Sequence, residues 1–272
     1  MDSGSDRESV AGEKVDVSAA PLKVHSEHAG RILRLALSRP KANIVDATML
    51  TALGEALESH RDRPELTAVL LCGEGPNFSF GASVEEHLPG QCERMLRLID
   101  GTVLTLLEYP VPVLVAVRGY CLGGGLELAC GGNLIFASPG AVFAQPEIQL
   151  AVFAPAGSCL LPELIGQARA EDLLFSGRNI KADEALVIGL IHRIADDPEA
   201  AALEYIETHL LPRSAFALRL AVTAARSVFA ARMRERFMQV EDLYLHRLMA
   251  GQDPVEGLRA FIEKRTPHWQ HR

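Results

Sequence analysis

Gly119-Tyr120-Cys121-Leu122-Gly123-Gly124-Gly125-Leu126-Glu127-Leu128-Ala129 follows almost directly on the apolar run Val113–Val117, and the reading of the whole chain turns on it. Five apolar residues after Pro112 read as a strand buried on both faces, and residues 125–129 begin a short buried helix. Successive glycines between strand and helix let backbone N–H groups reach a ligand unobstructed by Cβ, while the helix N-terminus adds positive dipole character. The turn therefore suits an anion or oxyanion. It suits a crowded strand-to-helix junction equally well, because glycine also relieves close backbone packing. No Gly-Lys-Ser/Thr follows, and the G-x-G-x-x-G spacing is missing, so neither a P-loop nor a dinucleotide fold is indicated.

Glu127 stands among small and apolar residues up to Cys130. If the helix is buried, desolvation raises its pKa towards the range of a general acid or base; if the helix is half-exposed, Glu127 is a surface acid. Glu147, in Gln145-Pro146-Glu147-Ile148, is a second carboxylate in an apolar setting, or else an ordinary loop acid. Two carboxylates in different environments can divide acid and base roles around a small substrate and a water. The nine histidines form no H-E-x-x-H, and Glu85-Glu86-His87 lacks the i, i+4 spacing of a metal site, so no metal is expected. Ser79 and Ser158 lie outside any G-x-S-x-G elbow, which leaves a covalent nucleophile without support.

Outward from this centre, residues 22–25 and 32–37 flank the turn His28-Ala29-Gly30-Arg31 as a hairpin. Asp46 caps a helix running to about Arg61, with Met49, Leu50, Leu53 and Leu57 at helical spacing. Residues 68–71 read as a buried strand, and 73–83 as a loop holding Phe80-Gly81-Ala82-Ser83. A helix over 92–108 precedes Pro110-Val111-Pro112, and strands follow at 134–137 and 141–143. Beyond Pro155 helices dominate: 160–165, 168–175, 182–188, 198–210, a long stretch over 214–249 broken near Ala230, and 254–264 with Val255, Leu258, Phe261 and Ile262 on one face. No internal repeat is visible. The pattern is an α/β core followed by a helical tail.

The chain has 272 residues, 48% of them hydrophobic and 23% charged, the balance of a soluble globular protein. A net charge of -8 disfavours nucleic acid as the main partner. The five cysteines, odd in number and without a C-x-x-C, read as reduced, as in the cytoplasm. No apolar run approaches the roughly 20 residues of a membrane span. Residues 1–20, rich in acidic residues, serine and glycine, are expected to be disordered.

Arg39-Pro40-Lys41-Ala42-Asn43, Phe80-Gly81-Ala82-Ser83, the stretch 119–129 and Gln145-Pro146-Glu147 together resemble, in order and spacing, the crotonase (enoyl-CoA hydratase/isomerase) superfamily. Glu256-Gly257-Leu258-Arg259-Ala260-Phe261-Ile262-Glu263-Lys264-Arg265 resembles that family's C-terminus, so the likeness runs from about residue 22 onward. It implies an α/β fold with a ββα spiral core over 21–210 and a helical trimerisation region over 211–272, assembled as a homotrimer or as a hexamer of two trimers. The resemblance also implies a thioester oxygen held by the N–H groups of Ala82 and Gly124, with Gly81 and Gly123 beside them as substrate-binding residues. Glu127 and Glu147 match the carboxylates that hold a water and deliver it across a double bond. Lys41, Ala42 and Asn43 match the segment lining the coenzyme A channel, and Phe261 and Lys264 match C-terminal residues that reach CoA, usually from a neighbouring subunit. No cofactor is implied, because coenzyme A is part of the acyl-CoA substrate.

Ser83 departs from the family's usual Asp, Glu85 from a common Lys, and 154–162 from the family's usual glycine-rich segment, which implies a reshaped acyl pocket. The strings 78–87 and 151–162 are most similar to the branch that hydrates cyclohexa-1,5-diene-carbonyl-CoA in anaerobic aromatic degradation. In that branch, water adds to the far end of the conjugated diene and the oxyanion hole stabilises a dienolate. The alternatives are a linear 2-enoyl-CoA hydratase, an isomerase or ring hydrolase using one carboxylate, and a non-catalytic CoA- or RNA-binding relative.

Overall fold

The computed structural model describes residues 20–272; the disorder expected of 1–20 falls, apart from residue 20, outside the described residues. A hairpin opens the fold: β1 (Leu22–Glu27) pairs antiparallel with β2 (Ile32–Leu37). Its turn takes three consecutive residues, His28, Ala29 and Gly30, through positive φ.

From β2 the chain makes four similar passes, each adding a strand to a large sheet, a strand or bridge to a small second layer, and then a helix. The first runs β2, the bridging residue Val45 and α1 (Ala47–His60). The second runs β3 (Ala68–Gly73), the bridging residues Ser79 and Ala82, and α2 (Cys92–Leu107). The third is β4 (Val113–Val117), β5 (Tyr120–Leu122) and α3 (Gly124–Gly131), and the fourth β6 (Leu134–Ala137), β7 (Val142–Ala144) and α4 (Pro155–Ile165). With β8 (Ile180–Lys181) and β9 (Arg193–Ile194), the two layers are ordered β1-β2-β3-β4-β6-β9 and β5-β7-β8. All pairs from β2 to β9 in the large sheet are parallel. This is the ββα spiral, a repeat of structure that leaves no trace as a repeat of sequence.

The central strands read as unbroken apolar runs because both faces are covered. Val69 and Leu71 of β3, with Val113, Val115 and Val117 of β4, enter the main core with α1, α2 and α3. Leu70, Cys72, Leu114 and Ala116 point the other way and are covered by Ala201 and Ala202 of α7 (Pro198–Tyr205) and by Ile206. Fully burying each large side chain contributes about 1.5–3 kcal/mol, so a one-residue slip of β3 or β4 would exchange two different cores.

Three expectations need correction. Residues 120–122 form β5, which three residues are too few to announce by alternation. α4 begins at Pro155, five residues before the expected start at 160; proline suits the first helical position, and the cap comes from a distant side chain described below. The long helix α8 (Ala215–Leu243) is not broken near Ala230. No glycine or proline lies between Ser214 and Gly251, and Ala230, Met233 and Phe237 form its buried face. The chain bends instead before it, by 108° between Pro198–Leu210 and Ala215–Leu248, around Pro212. α5 (Gln167–Ser176), α6 (Ala182–Val187) and α9 (Asp253–Ile262) complete the helices, and α9 lies against the turn that carries Glu147.

Candidate active site

The third pass sets Gly123 and Gly124 against the second. Val45 accepts and donates through the neighbours of Ala82: its N–H donates to Gly81 O at 2.9 Å, and its carbonyl accepts from Ser83 N at 3.4 Å. In a parallel bridge of this kind the middle residue directs its own N–H to the opposite side, so the Ala82 N–H turns away from Val45. On that side lies Gly124, the first residue of α3, whose N–H has no acceptor within its own helix. The approach is close enough that a Cβ on Gly124 would fall 3.2 Å from Ala82 N and 2.8 Å from Ile99 Cδ1. Gly81 turns the chain into this position at φ +106°. The backbone nitrogens of Ala82 and Gly124 thus lie side by side where the sequence admitted either an oxyanion cradle or mere crowding, and glycine is what lets the two segments come this close.

Glu127, one turn into α3, is 3% exposed, which excludes the surface reading of this residue. Its Oε1 accepts from Gly157 N at 2.7 Å, and Ala156 N also donates to the carboxylate. Ala156 and Gly157 follow Pro155 in the first turn of α4, so Glu127 caps a helix thirty residues further along the chain. Burial nevertheless prevails over these donors and pushes Glu127 up to about 7.

Glu147 lies in the short turn Pro146–Leu150 after β7, half-buried, with its carboxylate tucked beneath Gly123. Gly123 takes φ +49° and ψ −128°, and a Cβ there would stand 2.5 Å from Glu147 Oε1. Burial first, and then the charge of Glu127, push Glu147 up to about 8. Turned with its amide nitrogen to Glu147, the buried Gln145 donates to both carboxylate oxygens at 3.2 Å. Donors at a helix N-terminus favour the ionised form at Glu127, so a proton is held more firmly on Glu147 than on Glu127.

The structure thus brings together Gly81, Ala82, Gly123, Gly124, Glu127 and Glu147. Asn43 is nearby but its side chain is committed to joining two loops: Nδ2 donates to Glu74 O and Asn77 O in the loop after β3, both at 2.9 Å, and Oδ1 accepts from Arg39 N at 2.8 Å. Ala42 O accepts from Phe80 N at 2.8 Å, which ties the same loop to the Ala82 segment. Lys41 is exposed on this loop. Phe261, 57% exposed, lies near the end of α9, and Lys264, just beyond that helix, is exposed too. Among the described residues, no His/Cys/Asp/Glu group has the arrangement of a metal site.

Three residues of this region were not singled out from the sequence. Gln145 was visible only as part of a motif. Asp100 was visible in principle, as a carboxylate within the apolar face Leu96, Ile99, Val103 and Leu107 of α2. Tyr244, in the turn Tyr244–Leu248 after α8, is buried, and its hydroxyl has no partner among the described residues; Glu147 and Glu127 reach it electrostatically, and Phe153 packs on it edge-on at 5.2 Å. Nothing in its local sequence distinguishes it.

The chain as a whole is similar to known proteins. The enoyl-CoA hydratase/isomerase family matches residues 27–272. A cyclohexa-1,5-dienecarbonyl-CoA hydratase from Thauera aromatica is 57% identical over 255 residues, covering 94% of this chain and 99% of that protein. A carnitinyl-CoA dehydratase from Salmonella typhi is 32% identical over 263 residues, covering 92% and 98%. The crystal structure of an enoyl-CoA hydratase/isomerase from Pseudoalteromonas atlantica superimposes with a TM-score of 0.78 at 28% identity, covering 92% and 99%.

Proposed function

The chain belongs to the enoyl-CoA hydratase/isomerase family, and from that premise we propose that it is a hydratase of cyclohexa-1,5-diene-carbonyl-CoA. The observation that carries this reading is the pairing of two carboxylates, buried Glu127 and half-buried Glu147, with two closely approaching backbone N–H groups, those of Ala82 and Gly124. Identity of 57% across nearly the whole chain to a hydratase of that substrate supports the choice of acyl group.

In this mechanism the thioester oxygen accepts from Ala82 N and Gly124 N. Ionised Glu127 takes a proton from a water held between the carboxylates, and the water oxygen bonds to the ring carbon β to the thioester carbonyl. The displaced π electrons pass through the α carbon onto the thioester oxygen, giving a dienolate that the two N–H groups stabilise; losing one such donor costs roughly 3–4 kcal/mol of transition-state stabilisation. Protonated Glu147 returns a proton to the dienolate. Conjugate addition puts the hydroxyl on the β carbon and lets the proton go to the far end of the diene, so the expectation that water as such adds at the far end is refined on chemical grounds. Lys41, Phe261 and Lys264 would serve the CoA moiety, with Lys as a phosphate contact, and no further cofactor takes part. Exposed Phe216, Val228 and Met238 along α8 suit self-association into trimers or paired trimers.

The test is optical. The purified protein should bleach the absorbance of the conjugated dienoyl thioester and incorporate labelled solvent oxygen into product, and Glu127→Gln or Glu147→Gln should abolish most of the rate while the fold is retained. Turnover without solvent oxygen would establish an isomerase, and faster turnover of a linear 2-enoyl thioester would displace the cyclic substrate.

A further inference from the structure

Asp100 lies on α2, in the region of the two carboxylates, with no role in the mechanism above. It is 4% exposed, and among the described residues neither of its carboxyl oxygens has a hydrogen-bond partner. An ionised carboxylate so placed is strongly disfavoured. Its neighbours locate it. Ile99, the preceding residue, abuts Gly124, and Leu106, two turns on, abuts Gly131, so α2 lies along α3 and Asp100 is close enough to Glu127 for their charges to interact.

Among the described residues, the groups that act on Asp100 include no compensating cation. α3 contributes Glu127 and α8 contributes Glu241, and burial together with these two charges pushes Asp100 up to about 8. α4 contributes the Cys159 thiol, itself raised to about 12 by burial. Arg236 of α8 acts on Cys159 but is paired with Glu163 at 3.5 Å, and Arg97 of α2 is paired with Glu241 at 3.6 Å. On α1, packed against the other side of α2, Glu55 and Glu58 are exposed.

We infer that Asp100 is a positioning residue, a third carboxyl acting through Glu127 that keeps the working proton on the Glu127–Glu147 pair as the solution turns alkaline. At neutral pH Asp100 is uncharged and places no charge beside the pair. As pH rises, ionisation of Asp100 puts a like charge beside Glu127, and loss of the last proton from the pair is opposed. The alkaline edge of activity therefore lies higher than two carboxylates alone would set it. This inference rests on the hydratase reading, which it deepens.

The experiment compares kcat/KM against pH for the full-length protein, Asp100→Asn and Asp100→Ala, on the cyclic dienoyl thioester. Both variants remove the titrating group, whereas only Asp100→Ala removes its volume. The expected result is an alkaline limb shifted to lower pH by about one unit in both variants, so that the loss at about pH 9 exceeds the loss at about pH 6 by roughly tenfold. A limb unmoved in both would overturn the inference and leave Asp100 a packing residue. An independent readout uses the unliganded protein: a protonated-carboxyl infrared band should persist at neutral pH, titrate in the alkaline range and vanish in Asp100→Asn. If that variant retained every such band, the inference would fail even with active enzyme. If the wild type turned over no dienoyl thioester, the hydratase reading alone would fail, and the infrared titration would still decide the state of Asp100.

Discussion

Gly123→Ala is the most informative single change, because its consequences follow from two features of the structure. The backbone at Gly123 has φ +49° and ψ −128°, a conformation costing a residue with a side chain on the order of 1–3 kcal/mol. The added Cβ would lie 2.5 Å from Glu147 Oε1, and restoring an ordinary carbon–oxygen contact displaces that carboxylate by about 1 Å. Gln145 would lose its hold on both carboxylate oxygens, and the proton donor would no longer point at the dienolate carbon. A misplacement of this size can cost roughly a hundredfold in rate. The expected outcome is therefore kcat lowered about a hundredfold with KM little changed, because the N–H groups of Ala82 and Gly124 remain. Thermal unfolding should show a loss of about 1–3 kcal/mol. Steady-state kinetics on the thioester separates the two parameters. In Glu147→Asp, whose carboxylate is withdrawn by one methylene, the added effect of Gly123→Ala should be smaller, giving a non-additive cycle. A folded Gly123→Ala enzyme with kcat within threefold of wild type, or strict additivity with Glu147→Asp, would refute the placement of Glu147 under this glycine.

Three further outcomes follow from the same geometry. Glu127→Gln should lower kcat by about 10²–10⁴-fold yet stabilise the protein in alkali: burial raises the folded-state pKa from 4.5 to about 7, so the native carboxylate's penalty is absent at low pH and grows as pH rises through that window, to about 3 kcal/mol. Urea midpoints of wild type and variant at about pH 5 and about pH 8 test the sign, and a gap that narrowed with rising pH would contradict it. Gln145→Leu removes the donor to Glu147, so the pKa of that carboxylate should rise further and the pH–rate profile move to higher pH by about one unit; an unshifted profile would place the amide elsewhere. Asn43→Ala strands Glu74 O, Asn77 O and Arg39 N and puts alanine at φ +45°. It should cost about 2–3 kcal/mol and raise KM more than it lowers kcat, as calorimetry and kinetics would show.

The parts legible in the sequence were those specified by neighbouring residues. β3, β4 and α1 were read nearly to the residue, since strands covered on both faces are uniformly apolar and Asp46 caps its own helix, accepting from Met49 N at 2.8 Å. Glu127 and the glycine turn were also visible, but only as a choice between chemistry and packing. The start of α4 was misread because its cap, Glu127, lies thirty residues away, while Gly157 and Ser158 in its first turns are weak helix formers. Ala230 was given a break that its alanine chemistry does not call for, because the packing of α8 on α2 and α4 could not be read locally.

By itself, then, the sequence determined which segments are buried and where a backbone can approach a ligand, because hydrophobic patterning and glycine geometry act over a few residues. Only the tertiary structure decided the electrostatics. The burial that raises Glu127, Glu147 and Asp100, and the donors from Gly157, Ala156 and Gln145 that oppose or direct it, come from separate helices and turns. A carboxyl group's proton affinity depends on what surrounds it in space, and here those surroundings exist only once all four passes of the spiral and α8 have closed over the turn.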